Sequence, residues 1–272
     1  MNYFNILKNQ RHPLRFLWSR IVRDTGMWRF FSFKRNGYAL RFHPAALSLS
    51  LWVDRNDRST DSEAIRSLLS SGQTYVDVGA NIGHLAVEAA LAVGQAGQVF
   101  AFEPHPKIAG FLRENIHLNG LRNVAVAQMA LGHEFGWAIL SDQRADDQNR
   151  VSNDGAGIPV PLAPLDTFLP EGPIHLLKVD VEGYEKFVFE GARKTLDRTQ
   201  YIYFEAKESH FNDLGYTFAD LHDVVSGAGF SIAFMEEGRL NEVARDRIFD
   251  ECVNLFASRD MRALAVLLNL VI

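Results

Sequence analysis

The sequence predicts an α/β fold built on a doubly wound parallel sheet with helices on both faces. Three observations carry this. From about Gln73 onward, short β-rich runs alternate with helical stretches. The first run leads into a glycine-bearing turn, "YVDVGANIGH", from Tyr75 to His84. Acidic residues also recur where the runs end: Asp77, Glu103, Asp180 and Glu205. In open α/β sheets that carboxyl edge is where ligands bind.

The predicted strands are Thr74–Val78, Gln98–Glu103, Val124–Gln128, His175–Asp180 and Tyr201–Glu205, with later ones at Ser231–Met235 and Val253–Ala257. Helices are expected at Asp61–Leu69, Leu85–Ala92, Lys107–Leu118, Gly183–Leu196 and Phe218–Ala228, each ending near a glycine or a turn. Pro164 to Pro170 brackets a turn. The apolar tail Ala263–Ile272 reads as a last strand or helix docked on the core. Ser141 to Gly157 is polar enough to be a solvated loop, either a cover over a substrate or an ornament. Two regions are expected: a basic, aromatic extension over residues 1–60, packing on or beside the core, and the sheet domain over 61–272.

A chain of 272 residues with 47% hydrophobic content can bury a sizeable core. Its single cysteine, Cys252, has no internal disulfide partner and is expected as a buried thiol. No apolar run reaches the eighteen or so residues of a membrane span, and the beginning lacks a secretory h-region. A reducing, cytoplasmic setting is therefore expected. Residues 1–42 carry nine Lys/Arg against Asp24 alone, or +8, which leaves −13 for the rest of a chain of net charge −5. Phe4, Phe16, Trp18, Trp28, Phe30 and Phe31 are interleaved with these cations. Two readings follow: a surface for an anionic membrane or acidic partner, or a helical hairpin whose aromatics pack on the main domain while its arginines stay in water.

Gly79 and Gly83 suit a tight strand-to-helix turn that a ligand can approach closely. A nicotinamide dinucleotide fingerprint needs glycines where this turn has Asn81 and His84, which demotes that class. An ionised Asp77 at a buried strand end needs a cation or hydrogen-bond donors, or else it caps the turn. The methionyl ammonium of S-adenosylmethionine is such a cation, and the turn's amides favour its carboxylate. Glu103, twenty residues beyond Gly83, stands where an acid accepts hydrogen bonds from ribose hydroxyls. The run ending near Met129, Ala130 and Leu131 offers apolar surface to adenine. In "HLLKVDVEGYE", strand alternation puts Lys178 and Asp180 on one side. Beside a methyl donor they can orient a hydroxyl, take its proton or neutralise an alkoxide, with Asp180 first. The alternative is that they pair with each other or with neighbouring acids. Glu205 is placed to hydrogen-bond a hydroxyl substrate. Mg²⁺ between Asp180 and Glu205 is the lesser reading, and no metal ligand is assigned. Glu182 caps the next helix and Glu185 lies on its surface or pairs locally. His84, after the glycine turn, and His210, after the fifth strand, are each placed to reach the site, although a surface or capping position is the commoner outcome for histidine.

These segments resemble the FkbM family of S-adenosylmethionine-dependent methyltransferases. The likeness runs through "VDVGANIG", "FEP", "N…NG…NV", "LDTFL", "LLKVDVEGYE", "GA" and "FE" between Gln73 and Glu205, and "GF" and "VNLFA" extend it to Ala257. It implies a class I methyltransferase, Rossmann-like sheet of order 3-2-1-4-5-7-6 with the last strand antiparallel. It also implies methyl transfer to a hydroxyl oxygen of a carbohydrate, glycolipid or natural product. Carried over, Asp77, Gly79, Ala80, Asn81, Gly83, Glu103 and Ala130 hold the cofactor, and Asp180, Lys178 and Glu205 face the chemistry. Expected partners are a hydroxyl-bearing small molecule or glycan and, through residues 1–42, a membrane surface, but no nucleic acid. The competing class is a non-catalytic binding or assembly module that kept the nucleoside fold.

Overall fold

The computed structural model describes residues 12–141, 150–151 and 157–272. In chain order its elements are α1 (Pro13–Asp24), β1 (Ser32–Arg35), β2 (Tyr38–Arg41), α2 (Ala46–Val53), α3 (Ser59–Leu68), β3 (Thr74–Val78), α4 (His84–Val93), β4 (Gln98–Phe102), α5 (Pro106–Leu118) and β5 (Val124–Ala127). There follow β6 (Ala130–Leu131), β7 (Gly136–Leu140), β8 (Ile158–Ala163), β9 (Ile174–Val179), α6 (Glu185–Glu190), α7 (Arg193–Asp197) and β10 (Thr199–Ala206). The last are α8 (Glu208–Asp213), α9 (Phe218–Gly227), β11 (Ser231–Glu236), β12 (Arg239–Glu242), β13 (Val253–Ser258) and α10 (Met261–Leu267).

The main sheet runs β12-β11-β13-β10-β9-β3-β4-β5. Counting its seven predicted strands in sequence gives the order 3-2-1-4-5-7-6, with β13 antiparallel to β10, as the resemblance implied. β12 adds an outer strand by a hairpin from β11. Strand period two sends side chains to alternate faces. Tyr75, Leu176, Tyr201 and Tyr203 join the core on one side, while Val76, Leu177, Ile202 and Phe204 join the core on the other. Burial on both faces is why these runs read as nearly continuous apolar stretches.

Residues 1–11 of the expected helical hairpin lie outside the described residues; among the described residues up to Arg41 there are the helix α1 and a strand hairpin, β1–β2. The expected Gly183–Leu196 helix is two pieces, α6 and α7, parted at Gly191 and Ala192. A Cβ on Gly191 would stand 1.8 Å from the Gly132 carbonyl oxygen, so this bend lets another chain segment pass. The expected loop at 141–157 lies largely outside the described residues. Its flanks β7 and β8 form, with β6, a small three-stranded sheet.

Residues of the 1–60 region share the main core: Leu40, Leu47 and Leu51 cluster with Leu85, Ala86 and Leu112. The β2 edge is covered by asparagines of α5 and its end rather than by another strand. Asn115 Oδ1 accepts from the Arg41 amide at 2.8 Å, and its Nδ2 donates to the Ile82 carbonyl at 2.8 Å. Asn119 accepts from the Ala39 amide at 2.9 Å and donates to the Ala39 carbonyl at 2.7 Å. At about 1 kcal/mol per bond, these contacts tie the hairpin to the helix and fix the glycine turn's carbonyl. Arg35, itself buried, donates to the carbonyls of Arg55 and Asp57 and thereby sets the loop that carries Arg58.

Candidate active site

The carboxyl edge of β3, β4, β9 and β10 opens into a cleft with about 1130 Å³ of space including its mouth. Gly79 and Ala80 form one wall and Glu103 another. Asp180 and Glu205 stand at the β9–β10 end. Gly79 has φ +78°, and a Cβ there would meet the Asp180 carbonyl oxygen at 1.8 Å. Glycine is therefore required for β3 and β9 to close side by side, quite apart from any ligand. Asn81 takes a positive φ of 50° and its Oδ1 accepts from the Ile82 amide.

Glu103 is buried and oriented by the chain itself. Its Oε2 accepts from the Asn81 amide and its Oε1 from the His105 amide, each at 2.9 Å. Burial outweighs those bonds and lifts its pKa to about 7. A carboxylate accepts about four hydrogen bonds, so Glu103 keeps capacity toward the cleft.

Asp77, by contrast, does not reach the cleft wall. It is fully buried beneath it, directly across from Lys178 in the β3–β9 register. Lys178 Nζ lies 3.1 Å from Asp77 Oδ1, although neither Asp77 oxygen has a hydrogen bond of good geometry. The same ammonium donates to the Gly79 carbonyl at 2.9 Å and stands 3.5 Å from Asp180 Oδ2. One N–H thus donates to a backbone carbonyl while the ammonium stands between two carboxylates. Burial works to lower its pKa, but Asp77 and Asp180 outweigh burial and the net shift is upward. Lys178 remains a cation and no proton acceptor. Gly83 is also set back from the cleft, because its missing Cβ makes room for Leu112, whose Cδ1 would lie 2.2 Å away. Ala80 and Ala130 do line the cleft, the latter beside Met129 and Leu131.

Glu205 is buried, and desolvation, with Asp180 adding to it, raises its pKa to about 7. The nearby Cys252 thiol works the other way and holds that rise back. Cys252 is exposed, which corrects the expectation of a buried thiol. Glu185 is buried as well, not on the helix surface. Its Oε1 accepts from the amides of Val181 and Gly183 at 3.0 and 3.2 Å, a local pairing that holds the turn after β9. Glu182 in that turn takes φ 54° and pairs with His210 Nδ1 at 3.5 Å. Glu182, Glu205 and His210 bring potential metal-ligating atoms within 4.8 Å of one another. In this arrangement the His210 and Glu205 donors already face Glu182 and Cys252.

Several lining residues were not singled out from the sequence. Asp61 accepts from Tyr203 Oη at 2.6 Å and Asn254 Nδ2 at 3.0 Å, with Arg58 Nη1 3.7 Å away. His84, one of the two histidines placed to reach the site, is buried at the cleft, and among the described residues neither ring nitrogen has a hydrogen-bond partner. Burial, helped by the nearby cations, pushes its pKa well down, so it is neutral.

A family model described as "Methyltransferase FkbM domain" matches residues 77–232, more than half of the chain. The protein belongs to the FkbM methyltransferase family. Two curated relatives bracket the chemistry of similar proteins. A "Probable cobalt-precorrin-6B C(15)-methyltransferase (decarboxylating)" of Sulfolobus acidocaldarius is 36% identical over 63 residues, 23% of this chain and 33% of the relative. The hexuronic acid methyltransferase AglP of Haloferax volcanii is 29% identical over 178 residues, 62% of this chain and 71% of the relative. The chain thus spans about a third of the first relative's length. Similar solved structures include the precorrin-6y C5,15-methyltransferase of Geobacter metallireducens, at TM-score 0.43 and 15% identity over 76% of this chain and 91% of that one. A Thermotoga maritima S-adenosylmethionine-dependent O-methyltransferase is also similar, at TM-score 0.41 and 16% identity over 74% of this chain and 64% of that one.

As an FkbM methyltransferase the protein uses S-adenosylmethionine, whose sulfonium supplies an electrophilic methyl group. The cleft fits that molecule. It offers a bare glycine turn, a buried acid with lone pairs to spare at the end of the second sheet strand, an apolar stretch at Met129–Leu131 and acids for a cationic centre.

Proposed function

We propose that the protein transfers a methyl group from S-adenosylmethionine to a hydroxyl oxygen of a carbohydrate, glycolipid or natural-product acceptor. One observation carries this reading: two carboxyls, the buried Glu205 and the partly exposed Asp180, line the same end of the cleft, and burial together with Asp180 raises the Glu205 pKa. A general base is most effective when its pKa lies near the working pH. The similarity to a hexuronic acid methyltransferase supports a carbohydrate acceptor.

In this reading Gly79, Ala80, Asn81 and Ala130 seat the cofactor and Glu103 receives its ribose hydroxyls. Asp77 and Gly83 act from behind the wall, Asp77 by holding Lys178 and Gly83 by letting α5 close in. Lys178 is a positioning residue that locks the Gly79 carbonyl and Asp180 into register. Asp180 orients the acceptor hydroxyl and Glu205 takes its proton. S-adenosylmethionine held by these residues would supply the methyl group to that oxygen and would leave as S-adenosylhomocysteine.

The test is transfer of labelled methyl groups into extracts and into a panel of uronic acids and neutral glycosides, with the product bond located by mass spectrometry. Label on carbon or nitrogen would refute the oxygen assignment. Tight cofactor binding with no transfer to any acceptor would favour the binding-module alternative.

A further inference from the structure

Helix α1 turns toward solvent the side that a water-soluble helix normally hides. Leu14, Leu17, Trp18 and Ile21 fall at i, i+3, i+4 and i+7, one face of a helix, and all four are exposed, Leu14 at 81%. Ser19 and Val22, on the other side, are buried. The patch continues past the helix through Met27 to Phe30, which is 84% exposed. On the helix Arg15 and Arg20 lie to either side of the strip, while Arg23 lies on the opposite face and pairs with Asp24 at 2.7 Å. Arg20 lies over the Phe16 ring at 4.9 Å and Arg29 over Trp28 at 5.2 Å. Among the described residues no helix is long and apolar enough to cross a membrane.

We propose that this face docks on the surface of an anionic lipid bilayer. Leu14, Leu17, Trp18, Ile21 and Phe30 enter the boundary between headgroups and acyl chains, and Arg15, Arg20 and Arg29 meet lipid phosphates. Large apolar side chains ringed by Arg/Lys form the pattern of an interfacial helix. Charge selects the occupant. A second copy presenting the same face would set arginine against arginine, whereas the bilayer satisfies both the apolar strip and its cationic rim. The inference is independent of the proposed acceptor. It has a bearing on the cleft nonetheless, since α1 packs on α2, whose Leu47 forms part of the cleft wall.

The experiment is co-sedimentation of the full chain with phosphatidylglycerol–phosphatidylcholine vesicles and with phosphatidylcholine vesicles alone, at low and high salt. Retention on the anionic vesicles is expected to exceed that on neutral ones by about tenfold or more and to fall as salt screens the rim. Leu14→Glu combined with Phe30→Ser should abolish most of it. Both positions are solvent-exposed, so the thermal unfolding curve and cofactor affinity should stay as in the wild type. No retention, equal retention on neutral vesicles, or unchanged retention of the double variant would each overturn the proposal. Self-association that the double variant abolishes, without vesicle binding, would assign the face to a second copy instead.

Discussion

Replacing Glu205 by Gln separates two effects of one buried carboxyl that move in opposite directions. In the unfolded chain this group releases its proton near pH 4.5, and in the fold at about 7. Between those values the folded protein binds more protons than the unfolded chain, so its stability falls as the pH rises. The contribution is fully present below pH 4.5 and lost once pH passes about 7. At about 1.4 kcal/mol per pH unit, the full penalty has a ceiling of about 3 kcal/mol. Glutamine keeps a side-chain acceptor and carries no charge. Glu205→Gln should therefore stabilise the cofactor-free protein by about 1–3 kcal/mol at pH 8.5 and by much less at pH 5. Urea unfolding at the two pH values measures this. The same substitution should lower kcat by about 10²–10⁴-fold and remove the rise in rate through pH 7. A variant that keeps the wild-type pH–rate profile within about threefold would take Glu205 out of proton transfer. A loss of stability at pH 8.5 would show that the buried carboxylate is better solvated than its surroundings imply.

Three further substitutions probe the cleft. Glu103→Ala should weaken S-adenosylmethionine binding by about 1–3 kcal/mol in calorimetry while the fold survives, the scale for leaving buried polar groups unpaired; unchanged affinity would remove Glu103 from the ribose. Lys178→Met should cost about 3–5 kcal/mol of stability in urea titrations, because Asp77 is left buried without its counter-charge. A neutral result would mean that Asp77 is held protonated. Gly79→Ala combines positive φ with a 1.8 Å approach to the Asp180 carbonyl and should destabilise by about 2–5 kcal/mol. If it unfolds like the wild type, the packing of β3 against β9 is looser than described.

Seven of the main sheet's eight strands were legible, the central ones because both of their faces are buried. Continuous runs such as "YIYFEA" have no other use at that length, and β10 extends past its prediction by only one or two residues at each end. Gly79, Glu103, Asp180 and Glu205 were also legible, since strand ends mark the binding edge. The Asp61 cluster was not. Its partners Tyr203 and Asn254 lie 142 and 193 residues away, and no local pattern encodes such a meeting. Asp77 was located correctly on its strand, but its burial under the cleft depends on Lys178 in the neighbouring strand. The hairpin β1–β2 was hidden among basic and aromatic residues because its edge is closed by Asn115 and Asn119, side chains that read as ordinary helix polarity. Those asparagines belong to the "N…NG…NV" segment, whose role here is structural.

The position of β13 has a consequence for synthesis. It follows the main sheet's other strands in chain order, yet it lies between β10 and β11, and among the described residues β11 pairs within the sheet with β13 and its own hairpin partner β12. A chain emerging from the ribosome must therefore keep the β11–β12 hairpin waiting, apolar side bare, until β13 slots between it and β10. Stop codons ahead of Val253 would strand that hairpin permanently and deliver the truncated product to chaperones and proteases.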